Sequence, residues 1–239
     1  MKPLSAVLSV TCCLVACGTT PRRVADADYP GVLRAPGALG TDVFWQQRVT
    51  ACWGDGEQRG FDAAIQVQGG VQTVLGLSPV GAVGFAIRWN GREVTFQNDS
   101  GMEMPFSPRF VLLDVQRVFS PWLPSAVVAD GERRGEVDGE RVTERWAGGR
   151  LQERRFERLD GVPAGAITIA YRWGEGVELA PVYAELRNDW FGYRMLVETF
   201  REVRLPVPGA TAARGTRTEN PQSSASLIRL RTALQSSVR

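Results

Sequence analysis

The chain has 239 residues, of which 44% are hydrophobic and 23% are charged, and its formal net charge is +2. These values suit one folded domain and exclude a fibrous repeat, a disulfide-rich scaffold and a wholly disordered chain. The sequence contains no histidine, which excludes a Ser-His-Asp triad, a Cys-His dyad and an imidazole-based zinc site. Lys2 is its only lysine, so the domain has no Schiff-base or phosphate-loop lysine. A net charge near zero also argues against nucleic-acid binding.

The N-terminus has the pattern of an exported lipoprotein. Lys2 precedes an apolar run from Leu4 to Val15, which is too short to span a bilayer but has the length of a signal-peptide core. Small residues then precede Cys17, as in a lipobox, where the cysteine carries acyl chains such as palmitate and becomes the mature N-terminus. The alternative is an ordinary secretory signal cleaved near Ala16. We predict a lipoprotein signal peptide at residues 1–16 and lipid attachment at Cys17.

The residue after the predicted lipid attachment site indicates whether the protein is anchored in the inner or the outer membrane. In Gram-negative lipoproteins an aspartate there usually retains the protein at the inner membrane, so Gly18 favours the outer membrane, with the domain facing the periplasm. Each buried methylene contributes about 0.8 kcal/mol, so two or three acyl chains anchor a protein firmly. Cys12 and Cys13 precede the predicted cleavage site, which leaves Cys52 without an intramolecular disulfide partner.

Composition divides the remaining chain into three parts. Residues 17–40 are rich in Pro, Gly, Ala and Asp without periodicity, which predicts a lipidated flexible tether. Residues 206–239 are rich in Ala, Ser, Thr, Arg and Pro, which predicts a disordered tail, although the segment from Leu227 to Leu234 has the pattern of a short helix that binds a partner. The folded domain is therefore predicted at residues 41–205.

Alternating apolar and polar residues predict five antiparallel strands in the first half of the domain. Gly69-Gly70 and Asn90-Gly91 predict tight turns, the second because type I′ turns need positive φ at both central positions. The apolar faces of these strands begin, in chain order, at Val43, Phe61, Val71, Val83 and Val94.

A helix follows these strands. Ser107 is a suitable N-cap, and Pro108 suits the first helical position. A broad apolar stripe runs from Phe110 to Phe119, and Pro121 ends the helix. The pattern places three polar residues on the outer side of this helix, namely Asp114, Gln116 and Arg117.

The sequence pattern of the rest of the domain also predicts strands. Residues 131–161 mix charges of both signs, which indicates a solvated hairpin that turns at Gly148-Gly149. Alternation or apolar content then predicts three more strands, at 167–173, 177–186 and 191–197. A sheet this wide must curl, and one helix covers only one of its faces. We therefore predict a mainly β fold, a curved, half-open antiparallel β-barrel of about ten strands with one main helix across the concave side.

Together these features resemble the LolA/LolB superfamily of half-barrels, which shelter lipoprotein acyl chains in an apolar cavity. Three segments carry the resemblance within residues 41–200, namely Val74-Leu75-Gly76-Leu77-Ser78-Pro79, Phe85-Ala86-Ile87-Arg88-Trp89-Asn90-Gly91 and Gly192-Tyr193-Arg194-Met195-Leu196-Val197-Glu198-Thr199. The chain is more similar still to a family of LolB-like outer-membrane lipoproteins associated with aryl polyene biosynthesis genes. It differs in its long charged insert and C-terminal tail.

The resemblance implies a cavity that binds an acyl chain or an aryl polyene lipid. We predict that inward-facing residues line it: Trp45, Phe85, Ile87, Trp89, Phe96, Tyr171, Trp173 and Met195. The alternative is a filled core, since aromatic stripes at strand spacing are more often core than pocket. LolB-type proteins also engage the membrane through an apolar residue on a protruding loop, and Pro79, Val80 and Val83 occupy a comparable position.

Two other functions stay open. One is a non-transporting assembly or docking lipoprotein that binds an envelope protein through its sheet edge or tail. The other is a carboxylate-based hydrolase that uses Asp55, Glu57 and Asp62, while Asp99 and Glu103 are candidates for calcium. Both acidic sets lie near glycine-rich turns, where acidic residues are ordinary, and their spacing matches no known calcium loop. We expect a monomer that is not an enzyme, with no cofactor, metal or nucleic acid.

Overall fold

Eleven strands and one α-helix form the part of the chain that the computed structural model describes, which is residues 29–54, 56–100, 107–124, 130–176 and 178–206. The strands are β1 Val43–Trp53, β2 Glu57–Gln68, β3 Val71–Leu77, β4 Val83–Trp89, β5 Val94–Asn98, β6 Gly131–Val137, β7 Glu140–Ala147, β8 Arg150–Arg158, β9 Ala166–Arg172, β10 Tyr183–Asn188 and β11 Tyr193–Arg204. The helix is α1, Pro108–Phe119, and a short 3-10 turn spans Pro36–Leu39. The predicted signal peptide, Cys17, the start of the tether and the tail after Pro206 lie outside the described residues.

The strands form one antiparallel sheet in the order β5-β4-β3-β2-β1-β11-β10-β9-β8-β7-β6. Its edges are β5 and β6, which are not paired with each other, so the sheet is not closed into a barrel. The first and last strands meet in the middle, where Val43 lies opposite Arg204 and Trp53 opposite Tyr193. The predicted mainly β, half-open fold with one helix is confirmed, with eleven strands where about ten were predicted.

The sheet curls around α1. A flat sheet would spread the nine strands from β4 to β7 over about 38 Å, whereas a helix with its side chains is only about 10–12 Å wide. The helix nevertheless contacts β4 on one side, and on the other its Arg117 Nη2 lies 2.9 Å from Glu140 Oε1 on β7. The sheet must therefore be strongly curved, with the helix on its concave side.

The predicted helix start is confirmed, but the predicted outer side of the helix is wrong. Ser107 Oγ accepts a hydrogen bond from the backbone N–H of Arg109 at 3.1 Å, and Pro108 is the first helical residue. Asp114, Gln116 and Arg117, which the pattern places outside, are all buried. They are buried because residues that precede the sheet cross over them.

Residues 29–35, which we call the strap, lie across α1. Tyr29 is only 1% exposed, and Arg109 donates to the backbone oxygens of Tyr29 and Gly31. Gln116 accepts from the backbone N–H of Arg34 at 2.8 Å and donates to its carbonyl at 3.0 Å. Residues 29–35 are therefore packed although they belong to the segment predicted as a tether, because arginine and amide side chains of α1 bind their backbone.

The charged stretch is not an exposed hairpin. It forms three strands, β6 to β8, and its inward-facing Glu140, Glu144 and Arg154 are buried. Arg154 Nε donates to Glu144 at 2.9 Å, while its Nη1 donates to the carbonyls of Arg117 and Ser120 at 2.7 and 3.0 Å. The last carbonyls of a helix lack partners within the helix, so a buried arginine is stabilised at this end of α1.

The strand predicted at 177–186 begins later, at Tyr183. The carboxylate of Glu202 accepts from the backbone N–H groups of Leu179 and Ala180 at 2.8–3.0 Å. These bonds occupy backbone donors that a strand would use for pairing, so the two residues lie in a loop; Val177 is outside the described residues.

Candidate functional site

An apolar cavity of about 190 Å³ lies between α1 and the sheet. Strands β1 to β4 and β11 form one wall, and α1 forms the other. Apolar side chains make up most of both walls, with Val49, Ala51, Phe61, Ala63, Phe85 and Met195 on the sheet side and Phe110, Val111, Val115 and Val118 on the helix side. The polar residues at the walls are Gln47, Arg59, Asp114 and Tyr193.

Small residues on neighbouring strands create this space. Ala63 of β2 lies directly opposite Gly76 of β3, and Gly76 lies opposite Phe85 of β4. A Cβ atom at Gly76 would lie 2.0 Å from the Phe85 ring, so the ring occupies the space that a side chain at position 76 would need. With Ala51 on β1, these positions leave a gap beneath the valines of α1.

The cavity opens at the end of the sheet that carries the β1–β2 and β3–β4 connections. Trp53, Phe61, Phe85 and Met195 are partly exposed there, whereas deeper lining residues such as Ile65 are buried. We call this end the mouth. The strap also begins at this end, since Tyr29 contacts the rings of Phe110 and Phe191.

An apolar loop, residues 78–82, lies beside the mouth, and we call it the mouth loop. The backbone N–H of Ser78 donates to the carbonyl of Ala82, and that of Gly81 donates to the carbonyl of Ser78, both at 2.8 Å. Val80 at its tip is 88% exposed, and Pro79 is exposed as well. Val83 begins β4 and packs into the sheet, so it supports the loop.

A buried polar cluster closes the cavity wall next to the strap. The hydroxyls of Tyr29 and Tyr193 donate to the two carboxylate oxygens of Asp114, and Asn188 Nδ2 donates to both hydroxyl oxygens at 3.0 and 2.9 Å. Burial raises the pKa of Asp114, against the lowering effect of Arg117 and the two hydroxyls. Burial likewise raises the pKa of both tyrosines. Both oxygens of Asp114 are engaged, so this carboxylate joins strap, helix and β11.

Arg117 extends this cluster away from the cavity. Its guanidinium lies 4.9 Å from the centre of the Tyr29 ring and 5.2 Å from that of Trp190. Its Nη2 donates to Glu140 at 2.9 Å and to the carbonyl of Pro30 at 2.8 Å. Its Nη1 also lies 3.8 Å from Asp114 Oδ1, so this fully buried cation is matched by two carboxylates, one carbonyl and aromatic faces.

Of the eight predicted lining residues, Phe85 and Met195 lie at the cavity. Trp45 instead packs against Phe119, with ring centres 4.8 Å apart, and Ile87 is buried in the same core cluster. The indole N–H of Trp89 donates to the carbonyl of Arg34 in the strap at 2.8 Å. These three point towards α1 and the strap, which fill the space above them.

The other three predicted lining residues lie in the far half of the sheet or at its edge. Tyr171 donates its hydroxyl to the carbonyl of Val118 at 3.1 Å, and Trp173 donates its indole N–H to the carbonyl of Leu151 at 2.6 Å. Phe96 lies on the edge strand β5 and is 42% exposed. The cavity residues that sequence reasoning missed include Phe61, Ala51 and Ala63, and the two alanines could have been found by seeking small residues among the large inward-facing ones.

The described acidic residues that were candidates for catalysis or calcium binding each interact with a neighbouring side chain. Glu57 pairs with Arg59 at 2.8 Å and Asp62 with Arg48 at 3.0 Å, all near the surface, while Asp99 accepts from Gln97 at 2.9 Å. Asp55 and Glu103 lie outside the described residues. In the described ranges no cluster of three or more His, Cys, Asp or Glu side chains is placed to hold a metal ion. Nor does any described helix have the length and apolar character needed to cross a membrane.

Similar proteins among the known structures include the following three. A LolA superfamily protein from Nitrosomonas europaea is 11% identical, with a TM-score of 0.44 over 74% of this chain and 96% of that one. A putative outer membrane lipoprotein-sorting protein domain from Vibrio parahaemolyticus is 11% identical, with a TM-score of 0.41 over 69% and 85%. A DUF1329 family protein from Desulfovibrio piger is 9% identical, with a TM-score of 0.38 over 69% and 85%.

No curated protein matches the sequence. One family model does, and it covers residues 44–201, from the second residue of β1 to near the end of β11. Since the match extends over more than half of the chain, the chain belongs to the family described as "Protein of unknown function (DUF3261)".

Proposed function

We propose that this chain is an outer-membrane lipoprotein, anchored through acyl chains on Cys17 and facing the periplasm, that binds a lipid-like molecule in the cavity. The ligand is an acyl chain or an aryl polyene lipid. The main support is the cavity itself, an apolar space of about 190 Å³ that opens beside an exposed apolar loop. A dry apolar cavity of about 150 Å³ is known to bind benzene, so this one has room for the end of an acyl chain.

The proposed mechanism is passive. Each methylene that leaves water for the apolar walls contributes about 0.8 kcal/mol, and no covalent step is required. A longer chain enters as α1 moves away from β1 to β4, so the helix acts as a lid. The mouth loop, through Pro79 and Val80, touches the membrane surface and brings the mouth to the lipid, with Val83 as its support.

A cavity-filling variant tests this proposal. Ala51 lines the cavity, so Ala51→Phe places a ring where the ligand would lie. We expect the wild-type protein, released from membranes in mild detergent, to carry a non-covalently bound acyl lipid or pigment in native mass spectrometry, in addition to the acyl chains on Cys17. We expect Ala51→Phe to lose that bound mass.

The matched control is Ala170→Phe, because Ala170 is an exposed alanine on the outer face of β9. It should keep the bound mass, and circular dichroism should show both variants folded. Equal loading of the folded Ala51→Phe variant, or wild-type protein without any bound lipid, would overturn the proposal.

A further inference from the structure

The convex face of the sheet carries a second apolar cluster, separate from the core around α1. Phe44, Ala64, Leu75 and Leu77 are buried in it, and Val83, Ala86, Val203 and Leu205 pack against them. We call these eight residues the outer cluster. They lie side by side across the strands, with Val203 opposite Phe44 and with Leu75 between Ala64 and Ala86. Alternate residues on the same strands point to α1, so the outer cluster faces away from the cavity.

The burial of this cluster indicates that something covers it. Ala64 is 1% and Leu75 is 2% exposed, although outward side chains of a single sheet normally have water on one side. Ala170 provides an internal comparison, since it also points outward, on β9 between Glu153 and Glu185. Ala170 is exposed, so long flanking side chains alone do not bury an outward alanine. The strap and α1 lie on the concave side and cannot provide the cover.

The C-terminal segment leaves the sheet beside this cluster. Leu205 belongs to the outer cluster, and its backbone N–H donates to the carbonyl of Asp42 at 2.9 Å. Gln68 Nε2 donates to the carbonyl of Pro206 at 3.3 Å. The chain therefore passes residue 206 next to the first residues of β1, with residues 207–239 still to follow.

This segment contains an apolar stripe of suitable length. Leu227, Leu230 and Leu234 recur at helical spacing, with Ile228 beside them. A helix of about ten residues is not stable alone in water, so it needs an apolar surface to form. The eighteen residues from 207 to 224 span about 23 Å on average as a flexible linker. That reach maintains a high effective concentration of the segment at the cluster.

We propose that residues 225–236 form an amphipathic helix that docks on the outer cluster of the same chain. The N-terminal region offers no comparable segment in the mature protein. Its apolar run at residues 4–15 belongs to the predicted signal peptide, and residues 18–28 contain a single large aliphatic side chain, Val24.

Photo-crosslinking in the full chain tests this docking. We compare Leu230→p-benzoylphenylalanine with Thr232→p-benzoylphenylalanine, since these positions lie about 200° apart around a helix. Position 230 should crosslink within one chain to peptides 71–77 or 83–88, and position 232 should do so roughly ten-fold less because it faces water. Equal yields from both positions, crosslinks to a second copy, or crosslinks only to lipid or another protein would overturn the proposal.

Trypsin provides a second test with an internal reference. Arg229 and Arg231 lie within the proposed helix, whereas Arg214 and Arg217 lie in the linker. Trypsin should cleave after Arg229 and Arg231 at least about ten-fold more slowly than after Arg214 and Arg217. The reason is that the rate of proteolysis follows the fraction of molecules in which the helix is undocked. Leu234→Glu should remove that difference and Ser236→Glu should keep it. Equal cleavage of both pairs in the wild-type chain would contradict docking.

Discussion

At the scale of single residues, the most unusual group is Arg117, a fully buried cation near the centre of the concave side. Its closest charged partner is Glu140 on β7, and its other partners are Asp114 at 3.8 Å, the carbonyl of Pro30 in the strap and the rings of Tyr29 and Trp190. Removing one member of a buried ion pair leaves the other charge uncompensated, which costs more than the pair itself contributes.

Glu140→Ala should therefore lower the free energy of unfolding by about 3–5 kcal/mol. The matched control is Glu136→Ala, because Glu136 pairs with Arg141 at 3.6 Å in an exposed position on the neighbouring strand. We expect little change for the control, since exposed pairs contribute little. Urea denaturation measures both values, and similar losses for the two variants would contradict this account of Arg117.

The raised pKa of Asp114 predicts that the stability of the fold depends on pH. Burial raises its pKa above the ordinary value of 3.8. A carboxyl with a raised pKa in the folded state stabilises that state fully at low pH, and this contribution is lost as pH rises through the raised pKa. The free energy of unfolding of the wild type, minus that of Asp114→Asn, should thus fall as pH rises from about 4. Urea titrations of both proteins across this range measure the difference, and a constant difference would refute the prediction.

At the scale of elements, the strap holds α1 against the sheet. It does so through backbone groups, with Arg109, Gln116 and Arg117 as side-chain partners. Gly31 permits the close approach, since it has φ +118° and an added Cβ would lie 2.8 Å from Arg117 Nη2.

Gly31→Ala should destabilise the fold by about 1–3 kcal/mol, because alanine is strained at this φ and its methyl group would displace Arg117. Gly37→Ala is the control, since no atom lies within 4 Å of a Cβ at that position of the adjoining 3-10 turn. Thermal unfolding of both variants compares them. An unchanged midpoint for Gly31→Ala would show that the strap does not need this glycine.

The elements also show which features can be predicted from sequence. Period-two alternation predicts β1 to β5, and Ser107-Pro108 predicts the start of α1, because these signals are local. The strap and the inward charges of β8 have no such signal. The partners of Tyr29 lie 85 and 164 residues away at Asp114 and Tyr193, and Arg154 binds carbonyls 34 and 37 residues away. Polar residues with distant partners look like surface residues in sequence, so their burial could not be foreseen.

The cavity was only partly predictable for a related reason. Its walls depend on which inward side chains α1 covers and which it leaves uncovered. Trp45 and Tyr171 both face inward, but α1 packs on both of them. The space at the mouth instead reflects Ala51 and Ala63, whose short side chains leave volume empty, and Gly76, which lets the Phe85 ring lie close to the sheet.

At the scale of the whole molecule, the proposed anchor can be tested apart from the fold. Cys17 lies outside the described residues, and none of the described contacts involves it, so Cys17→Ala is expected to leave the circular dichroism spectrum and the unfolding midpoint unchanged. It should move the protein from the membrane fraction to the soluble fraction, because the acyl chains would be missing. Cys52→Ala is the control and should stay in the membrane fraction. Membrane retention of the Cys17→Ala variant would disprove this attachment.

Because the strap begins at the mouth, the proposed anchor limits the distance between the mouth and the bilayer. Tyr29 lies at the mouth, twelve residues after Cys17. Twelve residues span about 20 Å on average when flexible and about 40 Å when fully stretched. With the proposed anchor at Cys17 among the headgroups, the mouth would therefore stay within about 40 Å of that leaflet, and the 3-10 turn at the other end of the strap would lie farther from it. Under the proposed function, a lipid released at the mouth would meet this membrane within a few nanometres and would not need to diffuse through the periplasm.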